Sequence, residues 1–294
     1  MDILRTPEER FAGLAGYAFE PRYEQIDGLR IHCVDEGPRD GPCVVLLHGE
    51  PSWSYLYRRM IPLFVAAGFR AVAPDLVGFG RSDKPARRGE YTYARHVGWM
   101  AALLKARGVR SATLLCQDWG GLIGLRLAAE DDGLFAKIVA ANTSLPTGAG
   151  HTPRAFKVWS AFSRFSPIFP IGRIVARGCV HPLTLAERAA YDAPFPSARF
   201  KAGARQLPSL VPTRPDQEGA ADNRRAWEAL RAWKKPFLTA FSTRDPITRG
   251  ADTWLQKQIP GAQGQPHTHL HKAGHFLQED AGDELARVVI SFAR

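Results

Sequence analysis

The sequence has no segment that approaches the roughly 18 consecutive apolar residues of a membrane-spanning helix. Residues 1–7 also lack the positively charged start and apolar run of a secretory signal. The four cysteines of the 294 residues show no CxxC spacing, and three fall in strand-like segments, so we expect buried free thiols rather than disulfides. These features predict a soluble cytoplasmic protein that does not bind membranes.

Basic tracts are absent as well, although the net charge is +10. Lysine and arginine occur next to each other only as pairs, and no nucleic-acid-binding motif is recognisable. We therefore expect a solvated basic surface and no nucleic-acid partner. The 45% apolar content is sufficient for a sizeable core. This length suits one α/β domain with an insertion better than two independent domains.

Strand-like and helix-like segments alternate along most of the chain. Two short strands around Asp27-Gly28 predict a hairpin. The alternation that follows predicts a mostly parallel sheet flanked by helices, with strands at 44–47, 70–74, 112–116, 137–141 and 237–242 and helices at 55–67, 93–108 and 122–129. The pattern stops between about Leu145 and Asn223, where we expect an inserted helical cap. The predicted domains are therefore a core of residues 1–144 and 224–294 and a cap of residues 145–223.

The stretch LLCQDWGG at 114–121 is the most informative part of the sequence. It places Asp118 on the turn between a predicted strand and a predicted helix, with the small residues Cys116 and Gly120 on either side, as a sharp elbow requires. This pattern resembles the nucleophile elbow of an α/β-hydrolase, with aspartate in place of serine. An ionised carboxylate is a nucleophile without the help of a base and suits attack on carbon bearing a leaving group. The alternative is an aspartate that only caps the helix.

A nucleophile elbow predicts a partner acid and a late histidine, in the chain order nucleophile, acid, histidine. Asp245 follows the strand at 237–242, where α/β sheets collect their functional groups, and His275 lies in a loop before the C-terminal helix. Asn142 and Thr143 follow the preceding strand but cannot carry a negative charge. We therefore expect Asp245 to be the partner acid and His275 the base, although either residue alone could belong to an ordinary surface loop.

The segment His48-Gly49-Glu50-Pro51 follows the first predicted parallel strand. Main-chain N–H groups at this edge of the sheet can stabilise a developing oxyanion, and the expected donors are those of Glu50 and Trp119. The alternative is a tight Gly-Pro turn supported by a fully hydrogen-bonded His48.

Together these residues resemble those of the haloalkane dehalogenases over nearly the full length of the chain. The resemblance is carried by HGEPSWSYLYR at 48–58, DLVGFGRSDKP at 75–85, QDWGG at 117–121 and AGHF at 273–276. It implies hydrolysis of a small halogenated aliphatic substrate by water, with release of halide and without a metal or organic cofactor. The HGEP form resembles the subfamily whose catalytic acid follows the later strand, in agreement with Asp245. Nothing in the sequence predicts the oligomeric state.

The resemblance further implies that the indole N–H groups of Trp119 and of Trp159, in the cap, bind the departing halide. Aromatic residues recur every third position from Phe156 to Phe165, so Trp159 could instead belong to a packing stripe.

Other interpretations of the sequence remain open. An epoxide hydrolase has the same Asp, acid and His arrangement but needs cap tyrosines, and Tyr191 is the only tyrosine between 145 and 223. A non-catalytic relative of the same fold is a third possibility. The alternating His267, His269 and His271 could suggest a metal site, but we expect a solvated strand face.

Overall fold

The computed structural model describes residues 1–150 and 152–294 of the chain. Its strands are β1 (Ile3–Leu4), β2 (Arg22–Ile26), β3 (Leu29–Glu36), β4 (Cys43–Leu47), β5 (Arg70–Pro74), β6 (Lys84–Pro85), β7 (Ala112–Gln117), β8 (Phe135–Ala141), β9 (Phe237–Ser242) and β10 (Thr268–Leu270). Its α-helices are α1 (Ile61–Ala66), α2 (Tyr93–Ala106), α3 (Trp119–Glu130), α4 (Arg154–Phe165), α5 (Ile171–Gly178), α6 (Leu185–Asp192), α7 (Ala202–Leu210), α8 (Ala220–Arg231), α9 (Ala251–Gln258) and α10 (Leu277–Ala293).

The core of the fold is an eight-stranded sheet in the order β10-β9-β8-β7-β4-β5-β3-β2. The strands from β10 to β5 in this order are parallel, and the β2–β3 hairpin continues the sheet with antiparallel pairing. Every residue of β7 is buried, as expected for a parallel sheet covered by helices on both faces. Asp27 and Gly28 both have positive φ, of 53° and 74°, which the tight hairpin turn requires. The predicted α/β fold class is thus confirmed.

Several predicted element boundaries differ from those in the structure. The helix expected over 55–67 is a 3-10 turn at Ser54–Tyr57 followed by α1, which begins only at Ile61. Pro62 explains the late start, because it has no N–H for a helical bond to an earlier carbonyl and is tolerated only in the first turn. The elbow helix α3 begins directly after Asp118, three residues earlier than expected.

Helices α4 to α8 all lie between β8 and β9, in an insert formed by residues 142–236. Within the insert, α4 packs against α7 and α5 against α6, whereas α8 packs against α3 of the sheet layer. The Asn223 side chain of α8 also donates a hydrogen bond of 2.6 Å to the Pro146 carbonyl. The boundary expected between residues 223 and 224 therefore falls inside a helix that lies against the sheet layer.

A buried ion network joins the insert to the core. Both terminal nitrogens of Arg58 donate to Glu279 of α10, at 2.5 and 2.9 Å, and one of them also donates to Glu187 of α6 at 2.8 Å. The Tyr191 hydroxyl donates to the same Glu279 carboxylate. The half-exposed side chain of Arg59 also forms an ion pair with Glu187. Arg58 thus forms ion pairs with two carboxylates that belong to different layers of the molecule.

We predict that Arg58→Met lowers the free energy of unfolding by about 3–5 kcal/mol, because the Glu279 carboxylate remains buried without its counter-charge. The adjacent Arg59→Met is the matched control and should cost no more than about 1 kcal/mol, since that guanidinium is 49% exposed. Urea unfolding of both variants measures the difference. Equal losses of unfolding free energy in the two variants would contradict the conclusion that Arg58 is the residue that stabilises the network.

Candidate active site

The strand-to-helix elbow is formed by Asp118, whose backbone has a φ of 52°. Such a positive φ is uncommon for a residue other than glycine and is strained. The turn is also tightly packed: a Cβ atom on Gly120 would lie 2.0 Å from the Leu47 carbonyl oxygen, and one on Gly121 would lie 1.9 Å from Thr143 Oγ1. Glycine is therefore required at positions 120 and 121, and the elbow pattern predicted a small residue at position 120.

The Asp118 carboxylate turns away from the helix that it precedes. Its Oδ1 atom accepts a hydrogen bond of 2.8 Å from the Glu50 main-chain N–H, and its Oδ2 atom lies 3.6 Å from His275 Nε2. Its side chain makes no capping hydrogen bond to α3. The helix-cap alternative is therefore wrong, and the carboxylate is free to face reactants.

His275 lies between two carboxylates. Its Nδ1 atom is 3.0 Å from Asp245 Oδ2, on the side opposite Asp118. Burial alone would lower the pKa of His275, but the charges and hydrogen bonds of Asp245 and Asp118 raise it to about 10. The ring is therefore an imidazolium at neutral pH.

Asp245 is fixed at the end of β9 by its own hydrogen bonds. Its carboxylate accepts from the Ile247 N–H at 2.8 Å and from the Thr248 hydroxyl at 2.5 Å. Burial would raise the pKa of this carboxyl, but His275 and these two donors lower it to about 2. Asp245 thus stays ionised and keeps the Nδ1 side of His275 as a hydrogen-bond donor.

The histidine loop is supported by residues whose contribution the sequence did not indicate. The Asn142 amide donates to the carbonyls of Gly274 and His275, at 3.0 and 3.1 Å, and the Asp280 carboxylate accepts from the Gly274 N–H at 2.8 Å. The Gln117 amide lies 3.2 Å from His275 Nε2. Asn142 was detectable as a polar residue directly after a strand, whereas no local signal marks Asp280.

The loop after β4 places the Glu50 main-chain N–H, one of the two expected oxyanion donors, next to Asp118. The Glu50 N–H donates a hydrogen bond to the Asp118 carboxylate. Among the described residues, the Trp119 main-chain N–H makes no hydrogen bond to that carboxylate. His48 supports this loop: its Nε2 accepts from the Leu76 N–H and its Nδ1 lies 3.0 Å from the Gly49 carbonyl. These two contacts fit the alternative in which a fully hydrogen-bonded His48 supports a tight Gly-Pro turn. They are also compatible with the expected oxyanion role of the Glu50 N–H.

The Glu50 side chain is a second carboxyl group beside the nucleophile. Burial and the adjacent Asp118 charge raise its pKa well above the usual range, against the opposing effects of His275 and Trp159. Its Oε1 atom has no hydrogen-bond partner in the described part of the chain. Burial at this position therefore favours the neutral form of Glu50 more than it does for an exposed glutamate.

Asp118, His275 and Glu50 line one cavity of about 650 Å³ together with Trp119 and Trp159. The Trp119 ring packs edge-on against Tyr93, with ring centroids 5.1 Å apart. Trp159 stacks on Phe162 at 5.9 Å and also lines the cavity. Trp159 thus belongs to an aromatic cluster and to the cavity wall at the same time.

The three alternating histidines near β10 do not converge on one point. His267 contacts the Thr239 N–H through Nδ1 at 3.1 Å, and His269 Nε2 lies 2.7 Å from the Asp252 carboxylate. Within residues 1–150 and 152–294, no group of three or more His, Cys, Asp or Glu residues is arranged to hold a metal ion. None of the helices in these residues is both long and apolar enough to cross a bilayer.

Known proteins share both the sequence and the fold. The family model for the alpha/beta hydrolase fold matches residues 42–282. A haloalkane dehalogenase from Mycobacterium marinum is 54% identical to this chain, and the alignment covers 99% of this chain and 100% of the relative. A haloalkane dehalogenase from Psychrobacter cryohalolentis is 52% identical, and the alignment covers 99% of this chain and 98% of the relative. The tetrameric structure of the haloalkane dehalogenase DpaA from Paraglaciecola agarilytica NO2 superposes with a TM-score of 0.91 at 35% identity, covering 98% of this chain and 97% of that one.

The chain belongs to the haloalkane dehalogenase family. The family and the hydrolase class predicted from the sequence are thus confirmed. The epoxide hydrolase alternative is also weakened by the geometry, because the Tyr191 hydroxyl donates to Glu279 in the buried ion network and Tyr191 does not line the cavity of this dehalogenase-family site.

We predict that the His275 imidazole stays protonated up to a pH of about 10 in the free protein. The pKa of His275 is raised above its value of about 6.5 in the unfolded chain. The contribution of this group to the stability of the folded protein is therefore fully present below pH 6.5 and is lost as the pH rises through about 10. Asp118→Asn removes one of the two charges and should lower the pKa. NMR titration of the ring, assigned by its loss in His275→Gln, measures both values, and an unchanged pKa in Asp118→Asn would contradict the coupling.

Proposed function

We propose that this chain hydrolyses the carbon–halogen bond of a small halogenated alkane to an alcohol, a halide ion and a proton, through a covalent alkyl ester of Asp118. The observation that carries the proposal is the cavity in which an ionised elbow carboxylate, a histidine paired with a second carboxylate and two tryptophans meet. The substrates are the haloalkane and water, and the proposed reaction requires no metal or organic cofactor.

In the first step, Asp118 attacks the halogen-bearing sp3 carbon in line. A carbon–oxygen bond forms while the carbon–halogen bond breaks, and the electron pair leaves with the halide. The indole N–H groups of Trp119 and Trp159 are the proposed halide donors, because they stabilise an anion without introducing a competing charge. The raised pKa of Glu50 suits the same step, because the neutral form that it favours would not repel the halide.

In the second step, His275 deprotonates a water molecule that attacks the ester carbonyl. Formation of the ester removes the negative charge of Asp118, which is one of the two charges that raise the pKa of His275. The imidazolium can then release its proton to bulk water, as the proton of the net reaction, and the neutral ring becomes a base that Asp245 keeps oriented. The N–H groups of Glu50 and Trp119 are the proposed oxyanion donors. On collapse, the bond between the carboxyl carbon of Asp118 and the alkoxy oxygen breaks, the alkoxy oxygen takes the proton of the added hydroxyl and leaves as the alcohol, and Asp118 is restored as a carboxylate.

We also propose that helices α4 to α7 act as the cap over this cavity, within the range 145–223 expected from the sequence, while α8 belongs with the core. Residues of α4, α5 and α7 line the cavity opposite the elbow, which supports this division. The four cysteines are free thiols, which supports a reducing, cytoplasmic location.

We predict that His275→Phe still forms the ester but releases it far more slowly, because no base remains to activate water. Intact-protein mass spectrometry after incubation with 1-bromobutane should show one added butyl group, with peptide mapping to Asp118. The Asp118→Ala/His275→Phe double variant is the control and should stay unmodified. Absence of any adduct in His275→Phe would rule out the two-step reaction.

We predict that Trp159→Phe weakens bromide binding at least about tenfold, because a hydrogen bond to a charged partner contributes about 1.5–3 kcal/mol. Bromide titration of the intrinsic fluorescence measures the affinity. Trp254→Phe is the matched control, since Trp254 is 53% exposed and does not line the 650 Å³ cavity. Unchanged bromide affinity in Trp159→Phe would assign Trp159 to packing alone.

A further inference from the structure

The active-site cavity has two chemically different walls beyond the catalytic residues. Helix α4 and the turn after it contribute an apolar wall that includes Val158, Phe162 and Ile168. Helix α5 contributes Arg173 and Arg177, one helical turn apart and therefore on the same face. A purely apolar substrate would use only the first of these walls.

The arginines of this cavity have no acidic partners. Arg173, Arg177 and Arg244 line the cavity and are exposed, and within the described ranges none of them forms an ion pair. In the core of the fold, by contrast, Arg70 and Arg107 both form ion pairs with the Asp35 carboxylate. The guanidinium groups that line the cavity are thus not held by a neighbouring carboxylate of the described residues.

A second, smaller cavity of about 390 Å³ continues from the same helix. It is lined by Arg173 and Arg177 again and by Arg188 of α6, and it has no acidic residue among its lining residues. Arg188 uses its Nε atom to bind the Leu183 carbonyl, which leaves its terminal nitrogens available. Three guanidinium groups thus surround a space large enough for a small anionic group.

This cationic wall is held in a fixed position relative to the catalytic histidine. The carbonyl of Gly178, at the end of α5, accepts a hydrogen bond of 3.4 Å from the Phe276 N–H, next to His275. The Asp280 side chain accepts from the N–H groups of Val180 and Gly274, both at 2.8 Å. One carboxylate therefore joins the segment after α5 to the histidine loop.

The charges that line the cavity are strongly asymmetric. Three arginines line the cavity, whereas its acidic lining residues are Asp118, which lies 3.6 Å from His275 Nε2, and Glu50, whose pKa is raised by burial. The guanidinium groups at the mouth therefore remain uncompensated. Their planar donors match a carboxylate, and their combined field attracts anions to the cavity.

We propose, as an extension of the proposed function, that the preferred substrates are halogenated aliphatic carboxylates with the halogen at the end opposite the carboxylate. The halogen end lies at Asp118, the alkyl chain follows the α4 wall, and the carboxylate binds Arg173 and Arg177. The reaction itself is unchanged, so the arginines determine specificity and take no part in bond breaking.

The test compares bromide release from 6-bromohexanoate and from its methyl ester, which differ in charge but share the reacting carbon. The variant is Arg173→Gln/Arg177→Gln. The matched control is Lys257→Gln/Arg287→Gln, which removes two exposed cations that line neither cavity. Each protein is assayed at an ionic strength of about 0.02 M and about 0.5 M, where the Debye length falls from roughly 20 to roughly 4 Å.

We expect kcat/KM for the acid to exceed that for the ester in the unaltered protein and to fall about tenfold in Arg173→Gln/Arg177→Gln, mostly through KM. The ester rate should change less than about twofold, and high salt should slow only the acid. The proposed carboxylate subsite would be overturned if the acid-to-ester ratio of kcat/KM were the same in Arg173→Gln/Arg177→Gln and in Lys257→Gln/Arg287→Gln, or if that ratio did not change with salt. Failure to release bromide from the ester would instead overturn the proposed function.

Discussion

One positive charge held between two carboxylates is the interaction on which this active site depends. His275 bridges Asp118 and Asp245, and its pKa of about 10 measures how strongly the two acids hold its proton. The Asp118 carboxylate of this arrangement lines a largely apolar cavity, 3.6 Å from His275 Nε2. In the proposed reaction, formation of the ester removes the charge of Asp118, and this lowers the pKa of His275 so that the ring can act as a base.

This arrangement requires residues from distant parts of the chain to meet at one edge of the sheet. Parallel strands bring their carboxyl ends together, so the loops after β4, β7, β8 and β9 supply Glu50, Asp118, Asn142 and Asp245. The positive φ of Asp118 is part of the same constraint, because only a sharp turn lifts the carboxylate out of the strand and toward His275. Fold and chemistry therefore depend on the same few backbone positions.

Local sequence signals were sufficient for much of this architecture. The elbow, the Asp27-Gly28 hairpin and the buried strands depend on backbone sterics and hydrophobic pattern within a few residues, so they can be predicted without knowledge of the tertiary contacts. The features that were missed depend on contacts across the fold. Arg58 links α6 to α10 through carboxylates 129 and 221 residues away. Asp280 is only six residues from Gly274, but it also accepts a hydrogen bond from the main-chain N–H of Val180, 100 residues away. The packing of α8 on α3 is also decided by tertiary contact alone.

The link through Asp280 joins the insert to the loop that carries His275. Its carboxylate, whose side chain is fully buried, accepts N–H groups from Val180 of the insert and from Gly274 beside the base. A buried carboxylate that accepts several main-chain donors is costly to displace, since each lost bond leaves a polar group unsatisfied. Any movement of α5 is therefore opposed by the loop that positions His275. Substitutions on the exposed face of α5, which includes Arg173 and Arg177, can change what the cavity admits without disturbing this link, because their side chains take no part in it.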